Sequence, residues 1–544
     1  MLKNCKLVKV GSSYPNALQG WTTAIIRRVI VSATADLGRL RAPGRGLFGS
    51  GGLLFSDAVF GRDSVAAAES LLYLYPDISR EVIFTLASLQ GVVEAPIGPH
   101  SNEEEPGKMH HEHRSLFVGS RRISPSSEKV LRELAGRWGG DETSVTYYGC
   151  VDTTPLYARL VANYCAAYGE SILATTVIRR DGATVTIRES MIAAMDWITH
   201  KMDVSDLGLI EFLRRNPDGI PYQVWKDSGT SYIHSDGTLA NWDAPIAATE
   251  VQAYAYDALL GAAELLGRPD WSERAVALRR RMLDLLWMPS EDYFAMGIDR
   301  DNGGHPRLIE SIASNGALAL GTRLLDGFPD AADYAAGLVR RICSPEFVTA
   351  VGIRCRSVNE HDLVAFQDYH GAWAVWPKET FEVARGLKRQ GLDRLARQLA
   401  NRLLNAVNVA GANIEFLYVS PEGRVMYDFQ ERDLRTDEPQ QILGTNQPEA
   451  PQAWTVTGAL ALKRWLGSGR GLHGTLSAPG DESWREALEA EVLTGLASVD
   501  ACRTVAEVEA AYIDRGDFML NLRAGRERDR RARETRRGGE QGTV

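Results

Sequence analysis

Carboxylates, tryptophans and tyrosines crowd into four stretches of the chain: FGRDS (60–64), YYGCVDTTPLY (147–157), VWKDSGTSYIHSDGTLANWDAPIAATEVQAYAYDAL (224–259) and YHGAWAVWP (369–377). These stretches are short of metal and nucleophile signatures. The mixture suits carbohydrate chemistry, because a sugar offers hydroxyls to carboxylates and amides and C–H faces to aromatic rings. Cleaving a glycosidic bond needs one protonated carboxyl and one ionised carboxylate.

The third stretch is the most informative. Asp227 lies between Trp225 and Ser228-Gly229, in a loop rather than on an amphipathic helix. Trp242 and Asp243 follow, and Glu250 and Gln252 then open a helix that is otherwise apolar. Glu250 reads either as a helix-start acid that favours the dipole or as a sugar contact. GKMHHEHR (107–114) places His110, His111 and His113 around Glu112. Its spacing is not HExxH, and adjacent histidines do not share a helix face, so no metal site is expected. A loop role fits, with Glu112 or Arg114 as a sugar contact.

The elements that must position these residues are helical. Apolar residues recur at i, i+3, i+4 and i+7 over Thr22–Arg41, Thr153–Gly169, Glu189–Met202, Ala248–Leu266, Trp271–Trp287, Ser311–Leu325, Ala331–Ile342, Trp373–Arg389, Leu392–Ala406 and Ala453–Trp465. Strand patterns are confined to ATVTIRE (183–189) and to FLYVSPEGRVMYD (416–428), which reads as a hairpin around Pro421-Glu422-Gly423. Without βαβ alternation, a Rossmann sheet or TIM barrel is excluded. An all-α domain results, with its chemistry on long loops.

Net charge is −9 and no stretch approaches the ~20 apolar residues of a membrane span, so neither a nucleic-acid nor a membrane partner is expected. Six scattered cysteines without a CxxC pair read as reduced, mostly buried thiols. The N-terminus lacks the apolar run and cleavage site of a signal peptide, which predicts a cytoplasmic protein. Four parts are expected: an N-terminal extension and first helix (1–45), the helical domain (46–466), a linker with a polar helical segment (467–522), and a tail (523–544). The tail reads as disordered, since residues 523–537 hold eight Arg against three acids.

Taken together, the motifs resemble the amylo-α-1,6-glucosidase type, the C-terminal domain of glycogen debranching enzymes, and its relatives among helical-toroid glycosidases, the neutral invertases included. FGRDS looks like the family's FGRD motif, YYGCVDTTPLY is similar to YYGSVDATPLF, TEVQAYAYDAL to IEVQGYAYDAL, and YHGAWAVWP to YHNGSVWP. The motifs keep family order over residues 40 to 466. This resemblance implies an (α/α)6 toroid and an inverting glycoside hydrolase acting on α-glucosidic bonds without a cofactor. VWKDSG matches the loop that holds the family's general acid, which implies that role for Asp227. The family's base precedes a small hairpin, which implies Glu415, with Glu449 just before PQAW as the competitor. Arg62, Asp63, Tyr148, Asp152, Trp225, Trp242, Asp243, Glu250, His370 and Trp376 are the implied sugar contacts.

Two departures fall where substrate should bind: GTNQPEAPQAW replaces a Pro/Tyr-rich segment, and Lys378-Glu379 replaces His-Asp. The transferase half of a complete debranching enzyme is missing. Inversion implies a bell-shaped pH profile, with Glu415 setting its acid limb and Asp227 its alkaline limb. Three rival readings stay open: another toroid glycosidase (an invertase-like enzyme or a compatible-solute hydrolase), a glycan-binding relative without turnover, and a toroid isomerase or epimerase. The last would need a second catalytic histidine to match His370.

Overall fold

Helices buried on almost every side alternate along this chain with helices buried along one stripe. A computed structural model describes residue 29 and residues 32–501, apart from 53–54, 365–367, 422, 424, 426–447 and 469–482. In chain order its helices are α1 (32–40), α2 (Gly61–Leu71), α3 (Pro76–Ser88), α4 (Pro125–Trp138), α5 (Thr153–Tyr168), α6 (Ile187–Val204) and α7 (Thr249–Leu266). Then come α8 (Pro269–Leu286), α9 (Ala331–Ile342), α10 (Pro377–Arg389), α11 (Asp393–Ala410), α12 (Ala453–Ser468) and α13 (Ser483–Ala501). The N-terminal residues 1–28 and the Arg-rich tail lie outside the described residues, as does much of the expected linker.

The arrangement follows from the two kinds of helix. On α8 the buried residues are Trp271, Ala275, Leu278, Met282 and Leu286, a single stripe at helical spacing. On α7 burial runs from Thr249 through Tyr256 without a break. A helix like α7 must sit inside, and one like α8 must cover it. The inner ring runs α2, α5, α7, the 3₁₀ stretch Ser314–Gly321, α10 and α12, and α12 packs back on α2. Outside it, α3 covers α2, α6 covers α5, α8 covers α7, α9 covers the 3₁₀ stretch and α11 covers α10. The fold is an all-α (α/α)6 toroid with short β-hairpins.

Two expected helices differ. Ser311–Leu325 is not an α-helix but two 3₁₀ stretches, Ser314–Gly321 and Arg323–Leu325. Tertiary packing overrides local propensity there, since the Ser314 hydroxyl accepts from Lys226 Nζ at 3.0 Å and a Cβ on Gly316 would come within 2.9 Å of the Tyr293 ring. The helix expected over Trp373–Arg389 starts only at Pro377, where proline fits the first turn, and Ala374–Val375 is a strand. The strand expected over 183–189 stops at Thr186, which with Glu189 forms a capping box on α6.

Small sheets fill the loops at one end of the ring. β1 (Ala58–Phe60), β2 (Glu112–Ser115) and β3 (Ser144–Tyr147) form an antiparallel sheet with Phe60 opposite Glu112 and Glu112 opposite Tyr147. Farther along, β4 (Ala374–Val375) pairs with β5 (Leu417–Tyr418), Val375 facing Leu417. Among the described residues no helix is long and apolar enough to cross a membrane.

Candidate active site

All of these loops meet the ring at the N-terminal ends of its inner helices. The N-caps of α2, α5, α7 and α10 are Phe60, Asp152, Ala248 and Trp376, and none makes a side-chain capping bond. Their first-turn N–H groups and positive dipole ends are thus left to whatever lies at the mouth of the ring. A cavity of about 690 Å³ opens there, and of the expected site residues Arg62, Asp63, Trp225, Asp227, His370, Trp376 and Glu415 line it.

Glycine at 61 is required to place Arg62 and Asp63, because a Cβ there would come within 2.1 Å of the His110 carbonyl. Arg62 donates from Nη1 to Asp152 at 2.9 Å and from Nη2 to Asp227 at 3.4 Å. Tyr369 donates its hydroxyl to the other Asp227 oxygen at 3.0 Å. Burial pushes the Asp227 carboxyl up to about 6, against the pull of Arg62 and Tyr369. Asp63 is pushed up to about 7 by burial, with Arg62 opposing and Asp227 adding to the rise.

Trp225, next to Asp227, is held from several sides. Its ring meets Trp376 and Trp454 edge-on at 4.8 and 5.0 Å, and Lys378 Nζ lies 3.9 Å from its centroid. Its indole N–H donates to Glu379, which also receives Lys226 Nζ at 2.8 Å. The Lys226 and Glu379 side chains are both 0% exposed. Lys378 and Glu379, expected to touch substrate, therefore serve beneath Trp225 and do not line the cavity. Removing one partner of a buried pair leaves an uncompensated charge, so Lys226→Met should lower unfolding free energy by ~3–5 kcal/mol. Equilibrium urea denaturation measures it, and a loss below about 1 kcal/mol would contradict this account of the pair.

Glu415 precedes β5 and is nearly buried, at 6% exposure. Its Oε2 accepts from the Glu449 N–H at 3.0 Å, and its own N–H donates to the Glu449 carbonyl at 2.9 Å. Burial first, then the charges of Glu449 and Asp63, push its carboxyl up to about 8. Glu449 is not the solvated loop residue its proline-flanked setting suggests. It is 7% exposed, and its carboxylate takes the Ser50 hydroxyl and the Phe55 N–H, away from the cavity lining. The expected hairpin is present as β5 and a Val419–Val425 bridge, with residues 426–428 outside the described ones.

The remaining expected contacts lie elsewhere. Tyr148 is fully buried, and its hydroxyl donates to the Leu89 carbonyl at 2.6 Å. Asp152 sits behind Arg62 and orients it. Glu250 caps nothing, since its side chain is buried near Tyr232 (3.4 Å) and burial raises its carboxyl. Trp242 packs on Tyr222 at 5.8 Å beneath Arg214, and Asp243, with a 75% exposed side chain, pairs with that arginine at 3.3 Å. Neither lines the cavity. They follow Asp227 in sequence, but the intervening loop carries them off the mouth of the ring.

Sequence reasoning missed Phe55, Phe60, His111, Tyr369, Phe416, Gln452 and Trp454, all of which line the cavity. Phe60, Tyr369 and Trp454 lie inside motifs already singled out, His111 was weighed there only as a metal ligand, and Phe55 had no signal of its own. Glu112 and Arg114 line it too, as their loop position suggested, and pair with each other. Strand alternation on β2 turns His113 away from them, onto the Thr146 hydroxyl at 2.8 Å. Among the described residues no group of three His, Cys, Asp or Glu side chains is placed to hold a metal ion.

Hydrogen-bonding capacity remains in the lining. Burial and the nearby Lys226, Arg62 and Lys378 charges keep His370 neutral. Its Nδ1 accepts from the Ser228 N–H at 3.4 Å, which leaves the proton on Nε2. That Nε2, Arg62 Nε and Trp454 Nε1 find no partner among the described residues. Buried donors of this kind need a partner, and sugar hydroxyls would supply it.

Comparison with known proteins bears on the fold and on the class of enzyme. Residues 155–421 match the family model of the mannosylglycerate hydrolase MGH1-like glycoside hydrolase domain. No match is found among curated protein sequences. In fold, the chain is similar to a GH63 mannosylglycerate hydrolase from Thermus thermophilus in complex with glucose, at 15% identity and a TM-score of 0.53 over 80% of this chain and 100% of that one. The same enzyme bound to Tris and D-glycerate gives 14% identity and a TM-score of 0.51, covering 80% and 99%. An uncharacterized conserved protein from the same organism gives 14% and 0.52, covering 80% and 100%. The motifs read as debranching-type are thus set in a toroid glycosidase, and the narrower amylo-α-1,6-glucosidase assignment gains no support. Residues 155–421 are similar to the MGH1-like glycoside hydrolase domain, and the protein is a glycoside hydrolase built on a helical toroid.

Proposed function

We propose that the protein hydrolyses, with inversion, the α-glycosidic bond of a small glycoside of the compatible-solute class, in which a sugar is joined to a small hydroxylated acid. Asp227 is the general acid and Glu415 the general base. The observation that carries this reading is that two carboxyls on separate supports, Glu415 buried and Asp227 part-buried, line one aromatic-walled cavity, with unpartnered N–H donors around them. The matched domain's description and the like fold of a mannosylglycerate hydrolase favour a small acidic glycoside over a branched glucan. Arg62, Asp63 and His370 hold the glycone hydroxyls, and Trp225, Trp376 and Trp454 form the wall beside its C–H face. Inversion calls for carboxyls ~6.5–9.5 Å apart, with a water between Glu415 and the anomeric carbon.

Screening mannosylglycerate, glucosylglycerate, isomaltose, panose, limit dextrin and sucrose for released monosaccharide tests the reading. Release from the glycerates alone is expected. Release from panose or limit dextrin alone would restore the debranching assignment, and release from none would leave a binding protein.

The pH profile has a definite form. Catalysis needs Asp227 protonated and Glu415 ionised, yet burial pushes Asp227 up to about 6 and Glu415 higher, to about 8. Asp227 faces a guanidinium and a phenol, whereas Glu415 faces other carboxylates. The singly protonated enzyme is therefore the active stage, with the proton on Asp227 in its minor form. The profile of kcat/KM should be a bell with limbs near 6 and 8, the lower tracking Asp227 and the upper Glu415. This reverses the limbs expected from sequence. Glu449→Gln, which removes a neighbouring charge, should move the upper limb down, and an upper limb that stays fixed would contradict the assignment.

A further inference from the structure

The cavity is lined not only by the residues around Asp227 and Glu415 but also by a helix that the matched segment does not contain. Val130, Leu134, Arg137 and Trp138 of α4 line it together with Gly219, Ile220 and Pro221. The four α4 positions are spaced i, i+4, i+7 and i+8 and so share one face. Leu131 and Trp138 anchor the helix among Phe48, Val59, Val145 and Tyr147, while Val130 and Leu134 stay part-exposed at the cavity.

This wall is rigid and tied to Asp227. Trp138 stacks on Tyr147 at 4.2 Å, and the Tyr147 hydroxyl accepts from the Ile220 N–H at 2.9 Å and donates to Glu103 at 3.0 Å. Asn216 donates to the Arg137 carbonyl at 2.8 Å, and Arg137 donates to the Asp218 carbonyl at 3.0 Å. Pro221 and Asp227 belong to one loop and line the same cavity. The β1–β2–β3 sheet steps from Phe60, next to the Arg62-Asp63 segment, through Glu112 to Tyr147, on which Trp138 stacks, so α4 stands across the sheet from Arg62 and Asp63. Arg114 is paired with Glu112. Arg137 is exposed and forms no ion pair among the described residues.

We infer that α4 and residues 219–221 form the leaving-group subsite, and that it takes an aglycone with an apolar body and an anionic group. This rests on the glycosidase reading above. The apolar body lies against Val130, Leu134, Ile220 and Pro221, and the anion meets Arg137, across the sheet from Asp63. Arg137 and Leu134 are specificity-determining residues, and neither touches the reacting atoms.

Initial rates with the α-glucosides and α-mannosides of glycerol, glycerate, phenol and 4-hydroxybenzoate test it, in wild type, Arg137→Gln and Leu134→Ala. Calorimetric titration of 4-hydroxybenzoate itself supplies a readout free of turnover. The 4-hydroxybenzoate glycoside should have the highest kcat/KM. Arg137→Gln should lower it about tenfold through KM, leaving the phenyl glycoside unchanged. Leu134→Ala should weaken both aryl glycosides severalfold and spare the glycerol one. Equal rates for aryl and glycerol glycosides in all three proteins would overturn the subsite while leaving the glycosidase intact. Turnover of no glycoside would overturn the glycosidase reading. The titration then decides, since 4-hydroxybenzoate binding lost in Arg137→Gln upholds the subsite and absence of binding to wild type rejects it.

Discussion

Asp227→Asn should fold as the wild type does and lose roughly 10²–10⁴-fold in kcat on substrates with poor leaving groups. Asparagine keeps the shape, and its Oδ1 can accept from Arg62 while its Nδ2 donates to the Tyr369 hydroxyl, so the change removes the transferable proton and little else. The loss should shrink on an activated aryl glycoside, whose departure needs no protonation. That dependence on the leaving group separates a proton donor from a residue that merely positions substrate, which would affect both alike. Unchanged melting temperature must accompany the loss. An Asn variant within threefold of wild type on a poor leaving group would remove Asp227 from the mechanism.

Glu415→Gln should be equally damaging, and on both kinds of substrate, because water must be deprotonated whatever the leaving group. Its support argues for this role. The Glu449 N–H fixes one carboxylate oxygen, and the backbone pairing of β5 with β4 holds the segment at the mouth. Glu449→Gln should cost far less, since that carboxylate is committed to Ser50 and the Phe55 N–H. Matched rates of Glu415→Gln, Glu449→Gln and wild type, each with its melting curve, check the order. A dead Glu449→Gln beside a near-normal Glu415→Gln would exchange the two residues and leave Asp227 in place.

The sequence carried the helices well where one pattern controlled one face. Ala331–Ile342 has the same limits in both readings, and α8 differs by two residues at its start and one at its end. Legibility failed where neighbours set the backbone. Ser314–Gly321 tightens to 3₁₀ against Tyr293 and Lys226, and α4 is absent from the expected helices, its few apolar residues being divided between a cavity and a core. At the site, residues held by short motifs came together as expected: Arg62 and Asp63, Trp225 and Asp227, His370 and Trp376. Trp242 and Asp243 did not, since proximity in a long loop says little about where that loop turns. Glu250 and Tyr148 show the converse limit, as a polar atom within a motif can be satisfied by the core instead of by a ligand. Phe55, His111 and Gln452 reach the cavity only through the closure of the ring, which no local pattern encodes.

The anomeric configuration of the first product distinguishes direct attack by water from a covalent intermediate. Proton NMR of an α-glycoside hydrolysed at high enzyme concentration resolves the released sugar before mutarotation. The β-anomer should appear first, because a water held by Glu415 attacks the face opposite the leaving group that Asp227 protonates. Initial release of the α-anomer would mean retention through a covalent glycosyl-enzyme, and would contradict the water-activating role of Glu415.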